Sequence, residues 1–241
     1  MDIELYKGDA KAIISTHGGY VTNLANDDGD ILFPKRTLRG ADGSEKVRGG
    51  CHVCLPNFGP GGDTGLAQHG FGRTSEWVVA SKSEAAVELT LRGEGEYADM
   101  ESLLRYELRQ DALEMALTLK NNGESLLKVS PAFHPYFFRG SQALQLDGET
   151  HTNYAEFAGT KFTDGLVHTV NLAGRTLTLQ SANLPHWALW TDDIADYFCV
   201  EPTQNGNAFA DDMKSADTLT PGQEKSYTLT IRWHTAKGLK S

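Results

Sequence analysis

Apolar residues in this chain recur at every second position, in segment after segment along its length. Val87, Leu89 and Leu91 form one set, and Leu113, Met115, Leu117 and Leu119 a second. Leu177 and Leu179 form a third, and Tyr227, Leu229, Ile231 and Trp233 a fourth. Successive side chains of a β-strand point to opposite faces, so a period of two predicts strands with one buried and one polar face. Turn-forming clusters lie between these sets: Asn26-Asp27-Asp28-Gly29, Asn121-Asn122-Gly123 and Pro221-Gly222. No long segment carries a helical period. With 25 glycines in 241 residues, the pattern predicts an all-β fold, and at this length a large β-sandwich whose long connections carry function. One domain over residues 1–241 is expected. No Pro/Gly/Ser-rich linker, charge block or repeat of about 20 to 50 residues interrupts the chain.

Charge narrows the partners. A formal net charge of −10 and a pI near 5.2 argue against a nucleic-acid or anionic-membrane surface. They fit small ligands that are neutral or locally clamped. Met1-Asp2-Ile3-Glu4-Leu5-Tyr6 is charged and alternating, so no signal peptide is expected. No apolar run approaches the roughly 18 residues of a membrane span. Three cysteines, an odd number, fit a reducing compartment better than a disulfide framework, so the cytoplasm is the expected location.

One stretch departs from simple alternation: Val129-Ser130-Pro131-Ala132-Phe133-His134-Pro135-Tyr136-Phe137-Phe138. Proline fixes its own φ and pushes the residue before it toward extended backbone, so His134 is expected in a strand. Tyr136, two residues on, then shares its face. Imidazole exchanges a proton near neutral pH, which makes His134 a candidate acid or base. The other reading is a buried histidine satisfied by backbone groups.

Two further stretches carry reactive side chains. From Arg48-Gly49-Gly50 through His69-Gly70-Phe71-Gly72-Arg73 to Trp77, glycines and prolines predict mostly loop. Glycine beside Arg48 and His69 lets backbone approach a ligand closely while those side chains reach it. Within it, Cys51-His52-Val53-Cys54 suggests zinc, but a structural zinc site needs four ligands and no second CxxC exists. Packing cysteines are the expectation. Further on, the apolar run Tyr197-Phe198-Cys199-Val200 leads into Glu201, and Pro202 is expected to stop the strand. A carboxylate there requires a partner or a solvated cleft.

These elements, in this order and with Leu219-Thr220-Pro221-Gly222-Gln223 before the last strand, resemble the aldose 1-epimerase (galactose mutarotase) family, including its hexose-6-phosphate branch. The resemblance runs from about residue 10 to 233. It implies a β-supersandwich with a cleft on one sheet, His134 as general acid and Glu201 as general base. Tyr136 would support the acid or line the sugar site, and His69 and Arg48 would bind substrate. In the hexose-6-phosphate branch, arginines matching Arg48 and Arg73 clamp the phosphate. The segment between His134 and Glu201 is short for the family, and both Asp164 and Asp192 stay open as the sugar-binding aspartate.

Anomer exchange needs a base for the C1 hydroxyl proton and an acid for the ring oxygen, so no metal or other cofactor is expected. A nearby carboxylate should favour protonated histidine, and the imidazolium should favour ionised glutamate. With no clear lysine partner or third basic residue assigned to a phosphate clamp beside Arg48 and Arg73, an unphosphorylated aldose is the first expectation and its 6-phosphate the second. The alternative from another class is a non-catalytic sugar-binding sandwich, with Trp77, Trp187 and Trp190 available to stack on a pyranose. Glycosidase chemistry needs two placed carboxylates, and Glu201 alone has the context.

Overall fold

The computed structural model describes residues 1–40, 42–140, 142–211 and 213–234; the last residues of the expected domain, 235–241, lie outside them. The strands in chain order are β1 (Asp2–Lys7), β2 (Ala10–Ser15), β3 (Tyr20–Asn26), β4 (Gly29–Asp30), β5 (Arg36–Arg39), β6 (Glu45–Arg48) and β7 (Cys51–Cys54). There follow β8 (Val78–Lys82), β9 (Ala86–Arg92), β10 (Met100–Leu108), β11 (Ala112–Asn121), β12 (Leu127–Val129), β13 (Ala132–Phe138), β14 (Leu144–Leu146) and β15 (Glu149–His151). The remainder are β16 (Lys161–Asp164), β17 (Val167–Leu172), β18 (Arg175–Ala182), β19 (His186–Trp190), β20 (Tyr197–Thr203), β21 (Asp217–Leu219) and β22 (Glu224–His234). Among the described residues the helices are three short 3₁₀ turns, and none is long and apolar enough to cross a membrane.

Two large antiparallel sheets make the sandwich. One runs β1-β2-β3-β7-β13-β20-β19-β16, with β4 added beside β3; the other runs β15-β14-β17-β18-β22-β11-β10-β9-β8. The alternating sets seen in the sequence fall on the second sheet. Leu113, Met115, Leu117 and Leu119 of β11 and Tyr227, Leu229, Ile231 and Trp233 of β22 are all buried in one core. They meet Val53, Phe133, Phe137, Trp187, Phe198 and Val200 from the first sheet. Burying each such large side chain contributes about 1.5–3 kcal/mol, which is what drives the two faces together.

The centre of the first sheet is buried on both faces. Every residue of β7 and β20 is buried, as are all but the last of β13. Odd-numbered residues of β13 face the core between the sheets, so the even-numbered ones face outward beneath the loops that precede β7 and β8. This explains why the sequence there shows continuous apolar runs rather than alternation. It also corrects one expectation: β20 does not stop at Pro202 but continues to Thr203. Antiparallel pairing to β19, Trp187 with Pro202 and His186 with Thr203, carries the strand past the proline.

Candidate active site

Register determines which side chains meet on that outer face. β13 and β20 pair with Ala132 opposite Thr203 and Tyr136 opposite Cys199. The position midway sets His134 opposite Glu201, where described pairing lapses and Pro135 and Pro202 offer no N–H. His134 Nε2 lies 3.2 Å from Glu201 Oε2. They are not hydrogen-bonded to each other: Glu201 Oε2 and His134 Nδ1 are buried with no hydrogen-bond partner among the described residues. Both residues are almost sealed, at 4% and 1% exposure. On the other side of β13, His134 is paired with His52 of β7, and their rings are 4.7 Å apart. Tyr136 stacks on His134, centroids 4.7 Å apart and planes 12° from parallel. Trp190 of β19 meets both rings edge-on.

Two glycine turns bring loop residues onto this face. Gly70, at φ 61°, sits so close to the strand that a Cβ would lie 2.0 Å from the Leu55 carbonyl oxygen. His69 itself takes a left-handed φ of 69°, a conformation rare for a side chain of its size and one that clusters at functional sites. Its ring packs edge-on to His134 at 5.1 Å. Gly49, at φ 95°, is equally confined: a Cβ would lie 2.3 Å from the Pro34 carbonyl oxygen. Arg48 just before it donates from Nε and Nη2 to Asp192 Oδ2, at 3.1 and 2.9 Å. Tyr197 donates its hydroxyl proton to the other oxygen of Asp192. Of the two aspartates left open, Asp192 braces the cleft residue Arg48 without lining the cleft itself, whereas Asp164 lies on edge strand β16 bonded to His186.

His134, Glu201, Tyr136, His69, Arg48 and Arg73 all line one cleft of about 910 Å3. Sequence reasoning missed His52, Lys35, Lys46 and Phe162 as lining residues. His52 was considered only as part of a zinc motif, and a period-two reading of β7 against β13 would have found it. Nothing in the sequence marks Lys35, whose Nζ sits 3.8 Å over the Tyr20 ring. Lys35, Lys46, Arg48 and Arg73 give the cleft four cations against the carboxyl groups of Glu45 and Glu201, in a chain of net charge −10. Arg48 is neutralised by Asp192. Among the described residues Lys35 and Arg73 have no ion-pair partner.

Burial sets the proton affinities. It pushes Glu201 well above the ordinary carboxylate range. Burial, and after it His52, His69 and Arg73, holds His134 well below the usual imidazole value. His52 is lowered by burial and then His69, and His69 is brought to about 4 by burial and then Arg73. The expectation that each partner would favour the other's charged form is thus overturned, because loss of water outweighs their attraction. Both shifts point the same way, toward a neutral imidazole beside a protonated carboxyl.

Other expectations are corrected by facing. Trp77 and Trp187 belong to the core between the sheets, so of the three tryptophans proposed to stack on sugar only Trp190 reaches the cleft. Cys51 packs into that core while Cys54 lies among Phe58, Ala132 and Ala188 on the outer face. Residues three apart in a strand point to opposite faces, so the CxxC pair cannot close on one ion. All three cysteines are free and buried.

Comparison with known proteins points the same way as the fold. The family described as aldose 1-epimerase matches residues 1–172, a span that contains His134 and the loop residues but ends before Glu201. A galactose mutarotase-like protein from Lactobacillus casei superposes with a TM-score of 0.79 at 17% identity, over 97% of this chain and 100% of that one. The Slr1438 protein from Synechocystis sp. superposes with a TM-score of 0.79 at 22% identity, over 98% and 96% of the two chains. At these identities the likeness speaks to the fold. A Cenchrus ciliaris protein named "Putative glucose-6-phosphate 1-epimerase" is 38% identical over 68 residues, which span 28% of this chain and 20% of that protein.

Proposed function

The chain belongs to the aldose 1-epimerase family, and from that premise we propose that it interconverts the α and β anomers of an aldohexose at His134 and Glu201. The observation that carries this reading is the buried imidazole–carboxyl contact of 3.2 Å at the floor of a cleft. The anomeric hydroxyl and the ring oxygen share one carbon, so an acid and a base that open onto one point of the cleft can reach both. With the proton on His134, the imidazolium gives it to the ring oxygen as Glu201 takes the hydroxyl proton and the C1–O5 bond opens. The aldehyde turns about C1–C2, and closure on its other face returns both protons. Opening leaves neutral imidazole and a protonated carboxyl, the forms that burial favours, so desolvation drives this step once the proton has moved from Glu201 to His134, a transfer that it opposes.

His69, Arg48 and Tyr136 then hold the sugar, with Trp190 as the apolar wall. No cofactor takes part in this scheme. Its partner is a small sugar rather than a nucleic acid or membrane, its working unit is one domain over residues 1–241, and its location is the cytoplasm. The test is the catalysed rate by polarimetry. His134→Ala and Glu201→Gln should each lower it about 10²- to 10⁴-fold while circular dichroism stays unchanged. A near-wild-type rate in either variant removes that residue from the mechanism.

A second substrate, the aldohexose 6-phosphate, is favoured by Arg73 and Lys35 in the same cleft, neither of which has an ion-pair partner among the described residues. Charge-assisted hydrogen bonds to phosphate are the natural use of such cations. Rates with glucose, galactose and glucose 6-phosphate separate the two substrate classes.

A further inference from the structure

Cys199 takes no part in the proposed proton transfers, yet it stands beside them. It lies two residues before Glu201 on β20, so both side chains leave the same face of the strand. The ligating atoms of His134, Cys199 and Glu201 all lie within 4.8 Å of one another, and among the described residues no other group of three or more His, Cys, Asp or Glu side chains meets that condition. Glu201 Oε2 and His134 Nδ1 are buried without hydrogen-bond partners. From this geometry we infer that His134, Cys199 and Glu201 form a binding site for a thiophilic divalent cation such as Zn²⁺, and that the ion inhibits the enzyme by occupying its acid and base.

Nitrogen, thiolate and carboxylate are the ligand types of zinc, with bonds of about 2.0–2.3 Å, so small side-chain rotations close the three around an ion. As the metal–sulfur bond forms, the Cys199 thiol releases its proton to water, and Glu201 releases any proton it carries. Burial, and after it Glu201, pushes that thiol upward, but coordination removes the proton outright. Thiolate and carboxylate then neutralise the dication, which removes the cost of a buried charge. The fourth position faces the cleft, which His134 and Glu201 line, and is left to water. A sugar and the ion cannot both use His134 and Glu201, so inhibition should be competitive.

The binding half is independent of the epimerase reading and the inhibition half rests on it, so the two are measured separately. Titration of the full-length protein with Co²⁺ should give a thiolate-to-cobalt charge-transfer band saturating at one ion per chain and displaced by Zn²⁺. Cys199→Ala should abolish the band, and Cys54→Ala should keep it. Cys199→Ser replaces the alanine variant if the smaller side chain impairs folding. Absence of the band, or a band lost in Cys54→Ala and kept in Cys199→Ala, overturns the site. In the rate assay, Zn²⁺ should inhibit and a chelator restore the wild type. Cys199→Ala should keep its basal rate and need about 10-fold more Zn²⁺ or above for the same inhibition. Wild-type activity indifferent to Zn²⁺ while the cobalt band forms overturns the inhibitory role alone.

Discussion

At the scale of single side chains, the site is governed by water exclusion more than by charge pairing. His134 and Glu201 sit close enough for an ion pair, yet burial moves each toward its neutral form. On the proposed mechanism the pair works while it carries one proton, which sets the expected pH dependence. A depressed imidazole places the acid limb of kcat below the ordinary histidine value near 6.5, and a raised carboxyl places the basic limb above the ordinary glutamate value near 4.3. The rate should therefore not fall as pH drops through about 6.5. A pH–rate profile with a midpoint at the free-histidine value would contradict the buried-pair account. The cations differ in the same way. Arg73→Ala should raise KM for glucose 6-phosphate roughly 10- to 100-fold and leave that for glucose little changed. Equal effects on both sugars would assign Arg73 to the sugar ring or to structure.

At the scale of elements, the site depends on close backbone approaches that leave no room for a side chain. The turn carrying His69 presses Gly70 against Leu55, and the turn after Arg48 presses Gly49 against Pro34. Any L-residue at position 70 meets both a left-handed φ and a carbonyl oxygen. Gly70→Ala should cost about 2 kcal/mol or more of stability and displace His69, visible as a lower denaturation midpoint together with a higher KM. A variant with unchanged midpoint and KM would show that the turn has an alternative route. Strand pairing contributes the other half. The lapse between the β13 and β20 pairs coincides with Pro135 and Pro202, so two residues that weaken a sheet flank the one place where its outer face must admit a reactant.

At the scale of the whole molecule, the sandwich must keep three histidine rings, His52, His69 and His134, neutral and packed together. Their folded proton affinities are all depressed, so below about pH 6.5 the unfolded chain takes up protons that the fold refuses, and stability falls. Glu201 has the opposite sign, since its folded proton affinity is raised. The penalty of its ionised form is relieved as pH falls from the raised folded value toward the ordinary carboxylate value near 4.3. Below about pH 6.5 three histidines outweigh one carboxyl, so the melting temperature should decline from about pH 6.5 to pH 5, as read by calorimetry. A flat melting temperature across that range would mean that the cluster is hydrated rather than buried.

The second sheet was legible in the sequence because it is wet on one face. Leu113 to Leu119 and Tyr227 to Trp233 alternate with polar residues that solvent selects, and that alternation was enough for an all-β sandwich. His134, Glu201, Arg48, His69, Arg73 and Tyr136 were also legible, as chemistry-bearing residues set against prolines and glycines. Their order along the chain carried the family resemblance. What the sequence could not fix is which side chains face each other across strands that have no alternation to read. β7, β13 and β20 are buried on both faces, so register alone separates Cys51 from Cys54, sends Trp187 inward and Trp190 outward, and sets Glu201 beside His134. The same register decides proton affinity. Local sequence gives a group its ordinary pKa, and only the packed sheet and its covering loops remove the water that shifts it.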